Sequence, residues 1–281
     1  TDNPHYWKYG ESNETEEKFS IRMGKNLEDL IIREKPETIA GFFADPVMGA
    51  GGVIPPPATY FEKIQKVLKE YDIIFVVDEV ICGFGRTGNM FGTETFDLKP
   101  DMITVAKALS SGYLPISALM INDHIFQIMT LESKKIGIFG HGFTYGGHPV
   151  PCSVALETLN VYEETNIISH VRNVSNIFQL ALQRFTDHEL VGEIRGVGLL
   201  GAIELVRNKV TKEPFELSQG VGPYFATRCQ NNGLLTRSLG NTLAFAPPLV
   251  INEYQISQLV DIVEKSLVET GEWVSESQLT I

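Results

Sequence analysis

Two short apolar segments, each followed by a charged residue, constrain the fold of this chain more than any other feature. Ile73–Val77 ends at Asp78, and Met102–Ala106 ends at Lys107. Their length and their β-branched residues are typical of strands buried on both faces of a parallel sheet. Open α/β sheets bind ligands beyond the carboxyl ends of such strands. The sequence therefore predicts an acid and an amine at one ligand-binding edge.

An acid and an amine in these positions have two interpretations. An Asp at a strand end often caps the next segment, and a Lys there often lies on the surface. The same pair also suits a cofactor that needs one group to hold a ring nitrogen and another to form an imine. Spacing alone does not decide between them, because short motifs have false positives.

The rest of the chain alternates helical and strand patterns. Ile39–Ala44 has the pattern of another buried strand, and a helical pattern separates it from Ile73–Val77, as in parallel sheets with right-handed crossovers. After about residue 165 the composition changes, and short strand patterns alternate with helices. We expect an α/β chain with a mostly parallel sheet in a domain over residues 1–164 and a smaller α+β domain over residues 165–281.

The charge balance and the cysteine content argue against several functions. The 23 Lys and Arg residues against 35 Asp and Glu residues give a net charge of −12, which argues against nucleic acid or an anionic membrane as partner. Three widely spaced cysteines form neither a disulfide framework nor a zinc motif. We see no membrane-spanning run and no signal peptide, and we expect a cytoplasmic protein without a metal site.

The segment Gly83–Gly88 (GFGRTG) matches the G-x-G-x-x-G fingerprint of dinucleotide sites. That fingerprint must open a helix directly after its strand. Here five residues separate it from the strand ending at Val77, and the sequence after Gly88 lacks helical periodicity. A sharp loop near the ligand is the favoured interpretation, and nucleotide binding is the alternative.

Two further segments suggest anion binding. Residues 133–148 are dense in glycine and predict a loop that carries Phe143 and Thr144 ahead of a helix, where backbone amides and a hydroxyl can bind an anion. The glycines can equally serve only the loop geometry. Arg237 lies at the predicted end of a short strand over 234–237. It is either an exposed edge residue or a group that binds a carboxylate through two parallel hydrogen bonds.

Taken together, these segments resemble the class III (ω-) aminotransferases, which are pyridoxal phosphate enzymes of fold type I. The similarity covers essentially all of residues 1–270, in family order. The matching segments are FFADPVMGAGGVIPPP, VVDEVICGFGRTGNMFG, KPDMITVAKALSSGYLPISA, HGFTYGGHP, IRGVGLLGAIEL and GLLTRSLGNTLAFAPPLVI. The sequence is most similar to the pyruvate-coupled branch that acts on 4-aminobutyrate and related amines.

The resemblance implies a role for each matching residue. Lys107 would bind the cofactor covalently and later move a proton between substrate and cofactor. Asp78 would pair with the pyridine nitrogen, and Val80 would pack on the ring. Thr144 would bind the cofactor phosphate from the partner subunit, with Phe143 beside it, so the active unit would be a homodimer.

The resemblance also implies a substrate class. Arg237 would hold the carboxylate of the amino acceptor. The position of a second arginine in the 2-oxoglutarate-using branch corresponds to Ala244, which favours pyruvate or glyoxylate. We therefore expect transfer of an amino group from an ω-amino acid or amine, such as 4-aminobutyrate, to pyruvate or a similar 2-oxo acid.

The family carries a long segment before the position of Thr1, and that segment holds a phosphate-binding loop and an aromatic residue that stacks on the cofactor. One alternative is therefore a catalytically incomplete chain that binds the cofactor weakly when alone. A nucleotide-dependent oxidoreductase that uses Gly83–Gly88 is the less favoured alternative.

Overall fold

The computed structural model describes residues 1–279, and the backbone forms two separate four-stranded sheets in that range. The strands of the first sheet follow chain order across it and are β1 (Gly41–Ala44), β2 (Ile74–Asp78), β3 (Met102–Val105) and β4 (Ala118–Ile121). β1, β2 and β3 are parallel, and β4 pairs with β3 in the antiparallel direction. The predicted α/β class with a mostly parallel sheet is confirmed.

The register of the parallel strands aligns their carboxyl ends. Ala44 pairs with Val77, and Asp78 pairs with Thr104. Residues just beyond these three strand ends therefore share one edge of the sheet, as the apolar segments predicted.

Helices cover this sheet and connect its strands. They are α1 (Tyr6–Tyr9), α2 (Glu16–Glu34), α3 (Tyr60–Glu70), α4 (Gly92–Thr95) and α5 (Asp123–Ile136). The Thr15 hydroxyl accepts a hydrogen bond from the Lys18 amide and begins α2. α2 and α3 pack together over one core, which contains Phe19, Met23, Leu27, Phe61, Ile64 and Phe75.

The predicted loop over 133–148 begins later than the sequence suggested. α5 continues to Ile136 and ends at Gly137, which has a φ of +80°. A glycine in this left-handed conformation is a common helix terminator, because other residues are strained there. The loop therefore starts at the first glycine of the segment.

The second half of the chain forms an antiparallel sheet against helices. Its elements are α6 (Pro149–Glu164), α7 (Ile167–Gln183), β5 (Val191–Val197), β6 (Leu200–Leu205), α8 (Val221–Asn231), β7 (Arg237–Leu239), β8 (Thr242–Phe245) and α9 (Glu253–Glu276). The spatial strand order is β5-β6-β8-β7. The boundary predicted between residues 164 and 165 falls at the end of α6 and stays a prediction. Residues 280–281 of the predicted second domain lie outside the described residues.

Arg237 begins β7, whereas the sequence suggested that it ends a strand. The reason is the end of α8: Gly233 has a φ of +102°, and the Leu234 amide returns to the Cys229 carbonyl. The chain cannot pair with β8 until this turn is complete, so the strand runs from Arg237 into the turn at Gly240.

No helix within residues 1–279 combines the length and apolarity that a membrane crossing requires.

Phe178 on α7 is fully buried in the core of the second sheet. It lies over Gly201 of β6, where a Cβ atom would come within 3.1 Å of the Phe178 ring. Phe178→Ala should lower the free energy of unfolding by about 3–5 kcal/mol, because it leaves a cavity. Urea unfolding followed by tryptophan fluorescence measures this. The control is Leu180→Ala on the same helix, which is 70% exposed and should change stability by less than about 0.5 kcal/mol. Similar losses in both variants would contradict this packing.

Candidate active site

Three titratable side chains meet at the carboxyl edge of the parallel sheet. Asp45 follows β1, Asp78 ends β2, and Lys107 stands two residues beyond β3. Asp78 and Lys107 both act electrostatically on the Asp45 carboxyl group, so the three lie within interaction distance. The structure therefore brings together the two residues predicted from the strand ends and adds a second carboxyl group.

Burial is the main reason that the pKa of Asp45 rises from 3.8 to about 6. The negative charge of Asp78 raises it further, and the Lys107 ammonium group opposes both effects. Asp45 therefore exchanges a proton near neutral pH, which an ordinary aspartate does not.

Lys107 is placed by an unusual backbone conformation. Its φ is +46°, a left-handed value that is uncommon for residues other than glycine and that often marks functional sites. It begins a single 3₁₀ turn, Lys107–Ser110, and the Tyr162 hydroxyl of α6 donates to the Ala108 carbonyl at 2.8 Å. This turn directs an exposed Lys107 side chain into a cavity.

The carboxylates of Asp78, the last residue of β2, and of its neighbour Glu79 lie in different surroundings. The Val80 amide donates to the Asp78 carboxylate at 2.9 Å. Glu79 is fully buried, and its carboxylate accepts from the amides of Gly92 and Thr93 at 2.9 and 2.6 Å. Burial raises the pKa of Glu79, and these hydrogen bonds oppose that shift. Glu79 thereby fixes the loop that follows Asp78.

The cavity that contains Lys107 has a volume of about 850 Å³ and lies between the two sheets. Its walls include Gly49, Ala50 and Val53 after β1, Ile81, Leu200 of β6 and the segment 246–248. Over the described part of the chain, the charged residues that line it are Lys107 and Arg237. An apolar cavity of this size with a few charged groups is typical of small-molecule sites.

Arg237 and Lys107 thus share one cavity, although they belong to different sheets. Arg237 is exposed and pairs in register with Ala244, which also lines the cavity. A guanidinium group at an apolar wall can bind a carboxylate through two hydrogen bonds.

The remaining predicted residues lie in two places. Val80 is half-buried next to Asp78. Phe143 and Thr144 are exposed in the turn between α5 and α6, and the residues that line the Lys107 cavity do not include them. The chain therefore does not bring Phe143 and Thr144 to the cavity by itself.

The Gly83–Gly88 segment joins the two sheets. The chain leaves β2 through a series of turns instead of opening a helix, and Gly85 and Gly88 have φ values of +104° and +92°. The half-buried Arg86 guanidinium donates to the carbonyls of Leu199 and Pro247 at 3.2 and 2.5 Å. This geometry differs from the strand-to-helix turn of a dinucleotide site.

Two residues near the cavity were not predicted. Asp45 carries the same strand-end signal as Asp78, since it follows an apolar run. Arg195 on β5 is 7% exposed and donates to backbone carbonyls of the segment that forms one cavity wall. Its signal in the sequence is a single cation within a short apolar strand.

Comparison with known proteins identifies related chains. Residues 4–267 match the family model of the class III aminotransferases. The chain is 52% identical to gamma aminobutyrate transaminase 1, mitochondrial, of Solanum lycopersicum, over 98% of this chain and 54% of that protein. It is 50% identical to the vanillin aminotransferase of Capsicum chinense, over 98% of this chain and 60% of that protein.

Solved structures show the same relationship. The ω-transaminase from Pseudomonas jessenii in complex with PMP superposes with a TM-score of 0.95 at 47% identity, over 97% of this chain and 60% of that one. The chain spans about half the length of the curated relatives that it matches.

The raised pKa of Asp45 predicts a pH dependence of stability. The folded state binds the proton more tightly than the unfolded state, so the contribution of Asp45 to stability is complete below about pH 4 and is lost as the pH rises through about 6. The asparagine of Asp45→Asn cannot ionise. The free energy of unfolding of this variant, relative to the parent, should therefore increase as the pH rises through about 6. Urea unfolding of the cofactor-free protein from pH 4.5 to 7 measures the difference. Asp97→Asn, at an exposed carboxylate, controls for the loss of one charge, and a pH-independent difference for Asp45→Asn would contradict the shift.

Proposed function

The chain belongs to the class III aminotransferases, and we propose that it transfers an amino group from an ω-amino acid or amine of the 4-aminobutyrate type to pyruvate or a similar 2-oxo acid. The observation that carries this proposal is that Lys107 and Arg237 line one cavity, with Asp78 at the adjacent strand end. Lys107 can bind a carbonyl cofactor, and Arg237 can bind a substrate carboxylate.

The family depends on pyridoxal phosphate, and the residues present fit that cofactor. The fit rests on the donor set: a primary amine in a cavity of about 850 Å³ and a carboxylate on the neighbouring strand. Lys107, Asp78 and Val80 would hold the cofactor, and Phe143 and Thr144 would complete its phosphate site from the partner subunit. When bound, pyridoxal phosphate supplies an electrophilic carbon and a ring that accepts electrons.

The protein groups supply binding, orientation and proton transfer. Lys107 binds the cofactor through its amine and, once that amine is free, carries a proton to and from the substrate carbon. Asp78 keeps a proton on the pyridine nitrogen, because a carboxylate stabilises the adjacent positive charge.

The acceptor proposal depends on Arg237 and its neighbour across the ladder. Arg237 lies opposite Ala244, so a second cation does not stand directly beside it there. One guanidinium group suits a monocarboxylate such as pyruvate or glyoxylate. The donor proposal follows the names of the tomato relatives, which are gamma aminobutyrate transaminases.

A homodimer and a cytoplasmic location also belong to this proposal. The homodimer is supported by exposed apolar side chains on the turn that carries Phe143, including Phe139 and Tyr145 at 58% and 79% exposure. The cytoplasmic location stays a prediction, since two tomato relatives are named as mitochondrial and chloroplastic enzymes.

Lys107→Ala should abolish covalent capture of pyridoxal phosphate and nearly all transamination, because the cavity then lacks its primary amine. Borohydride reduction followed by peptide mass spectrometry locates the attached cofactor, and alanine formation from pyruvate reports turnover. Lys99→Ala, at an exposed lysine paired with Asp97, should retain both properties. Capture at another lysine with normal turnover in Lys107→Ala would refute the assignment.

Arg237→Ala should raise the KM for pyruvate about tenfold or more, since a hydrogen bond to a charged group contributes about 1.5–3 kcal/mol. The half-reaction with an amine that has no carboxylate should change much less. Single-turnover spectroscopy measures each half-reaction. Arg237→Lys keeps the charge without the two parallel donors and should recover only part of the pyruvate affinity. Equal losses in both half-reactions would assign Arg237 to the fold instead.

A further inference from the structure

The segment 48–54, which we call the wall loop, forms one side of the Lys107 cavity. Met48 and Ile54 close it through two backbone hydrogen bonds of 3.1 and 3.0 Å. Three residues between them, Gly49, Ala50 and Val53, line the cavity. This short loop therefore borders the cavity into which Lys107 extends.

The wall loop is held in a conformation that its own sequence disfavours. Val53 has a φ of +52°, and a β-branched residue in the left-handed region is a clear outlier. Gly52, with a φ of +122°, needs its lack of a side chain. Such a conformation persists only where surrounding contacts impose it.

Arg195 makes those contacts from the opposite sheet. Its Nε donates to the carbonyls of Gly52 and Val53 at 3.1 and 3.0 Å, and its Nη2 donates to the Gly52 carbonyl at 2.6 Å. A Cβ atom at Gly52 would come within 3.1 Å of Nη2. The guanidinium group of Arg195 thus donates hydrogen bonds to the carbonyls of both residues with positive φ, Gly52 and Val53.

Two carboxylates fix the orientation of that guanidinium group. Glu193 accepts from Nη1 and Glu204 accepts from Nη2, each at 2.8 Å. Glu193 also lies 2.6 Å from His5 Nε2, and the Thr242 hydroxyl donates to Glu204 at 2.6 Å. Because the group is almost fully buried and its donors are directed by these partners, it cannot follow the loop if the loop moves.

The other side of the wall loop is fixed against the first sheet. A Cβ atom at Gly49 would lie 2.3 Å from the Ile81 side chain, so the backbone packs directly on the residue three positions beyond Asp78. The loop is therefore confined between Ile81 and Arg195, with Lys107 in the cavity that it borders.

We propose that Arg195 is a positioning residue that holds the wall loop in its strained shape and thereby sets the size of the substrate space beside Lys107. This inference rests on the proposed transaminase function. Its consequence is a selectivity effect: without the two carbonyl contacts, Val53 relaxes, the wall shifts, and small donors lose their fit while bulky donors gain room.

The experiment measures kcat and KM of the active enzyme for two amino donors in three forms: the parent, Arg195→Lys and Arg195→Met. Lysine keeps a positive charge between Glu193 and Glu204 but lacks the planar set of donors that reaches both carbonyls. The matched control is Arg228→Met, which breaks a 2.7 Å contact to Glu269 in the same half of the chain. The donors are 4-aminobutyrate and the bulkier 4-phenylbutylamine, with pyruvate as acceptor.

We expect both Arg195 variants to raise the KM for 4-aminobutyrate at least fivefold and to shift the ratio of kcat/KM values at least fivefold toward 4-phenylbutylamine. Arg228→Met should leave that ratio within twofold. A general loss of folded protein lowers kcat for both donors equally and leaves the ratio unchanged. If the ratio of kcat/KM values for the two donors is unchanged in Arg195→Lys, the inference is overturned. This holds even if Arg195→Met does not fold.

Hydrogen exchange supplies a readout independent of turnover. In cofactor-free Arg195→Lys, amides of a peptide covering 48–54 should exchange at least tenfold faster, while a peptide covering β2 keeps its parental rate. Equal rates for the 48–54 peptide in variant and parent overturn the inference. A parent enzyme that does not transaminate pyruvate refutes the proposed function instead, and the exchange result still decides the role of Arg195 in holding the loop.

Discussion

The pairing of β1, β2 and β3 in parallel register is the constraint on which the site depends. It places the residues that follow three different strands at one edge of the sheet. Asp45, Asp78 and Lys107 are distant in sequence, yet each needs only to follow its strand in order to meet the others. Burial in this arrangement raises the pKa of Asp45. The charge of Asp78 raises that pKa further, and the charge of Lys107 lowers it.

The cavity is completed by a second sheet, and the half-buried Arg86 and the buried Arg195 hold the halves together. Arg86 extends from the first half to the carbonyls of Leu199 and Pro247, and Arg195 extends from the second half to the wall loop. A small apolar cluster that contains Val47, Cys82 and Ala202 fills the space between them. The position of Arg237 relative to Lys107 follows from this junction and not from either sheet alone.

The sequence predicted those parts of the site that depend on local pattern. The positions of Lys107 and Asp78 were predicted because each comes directly after a short apolar segment. Asp45 also comes directly after such a segment, but it was not assigned a role. The prediction that Arg237 ends a strand was wrong. Residues 234–236 have a strand pattern, but they lie between the end of α8 and the start of β7. Arg195 could not be assigned from spacing, since its function depends on a carbonyl 143 positions away in the chain.

The two junction arginines share one property: both contact main-chain oxygens of the opposing segment. A main-chain carbonyl is present whatever side chain its residue carries, so these contacts do not require a particular side chain at Val53, Leu199 or Pro247. The cavity beside Lys107 can therefore be diversified at its lining positions, by natural drift or by directed evolution, while the two sheets that enclose it stay joined. Gly49 and Gly52 are exceptions, because a Cβ atom at Gly49 would lie 2.3 Å from the Ile81 side chain and Gly52 combines a φ of +122° with close contact to Arg195.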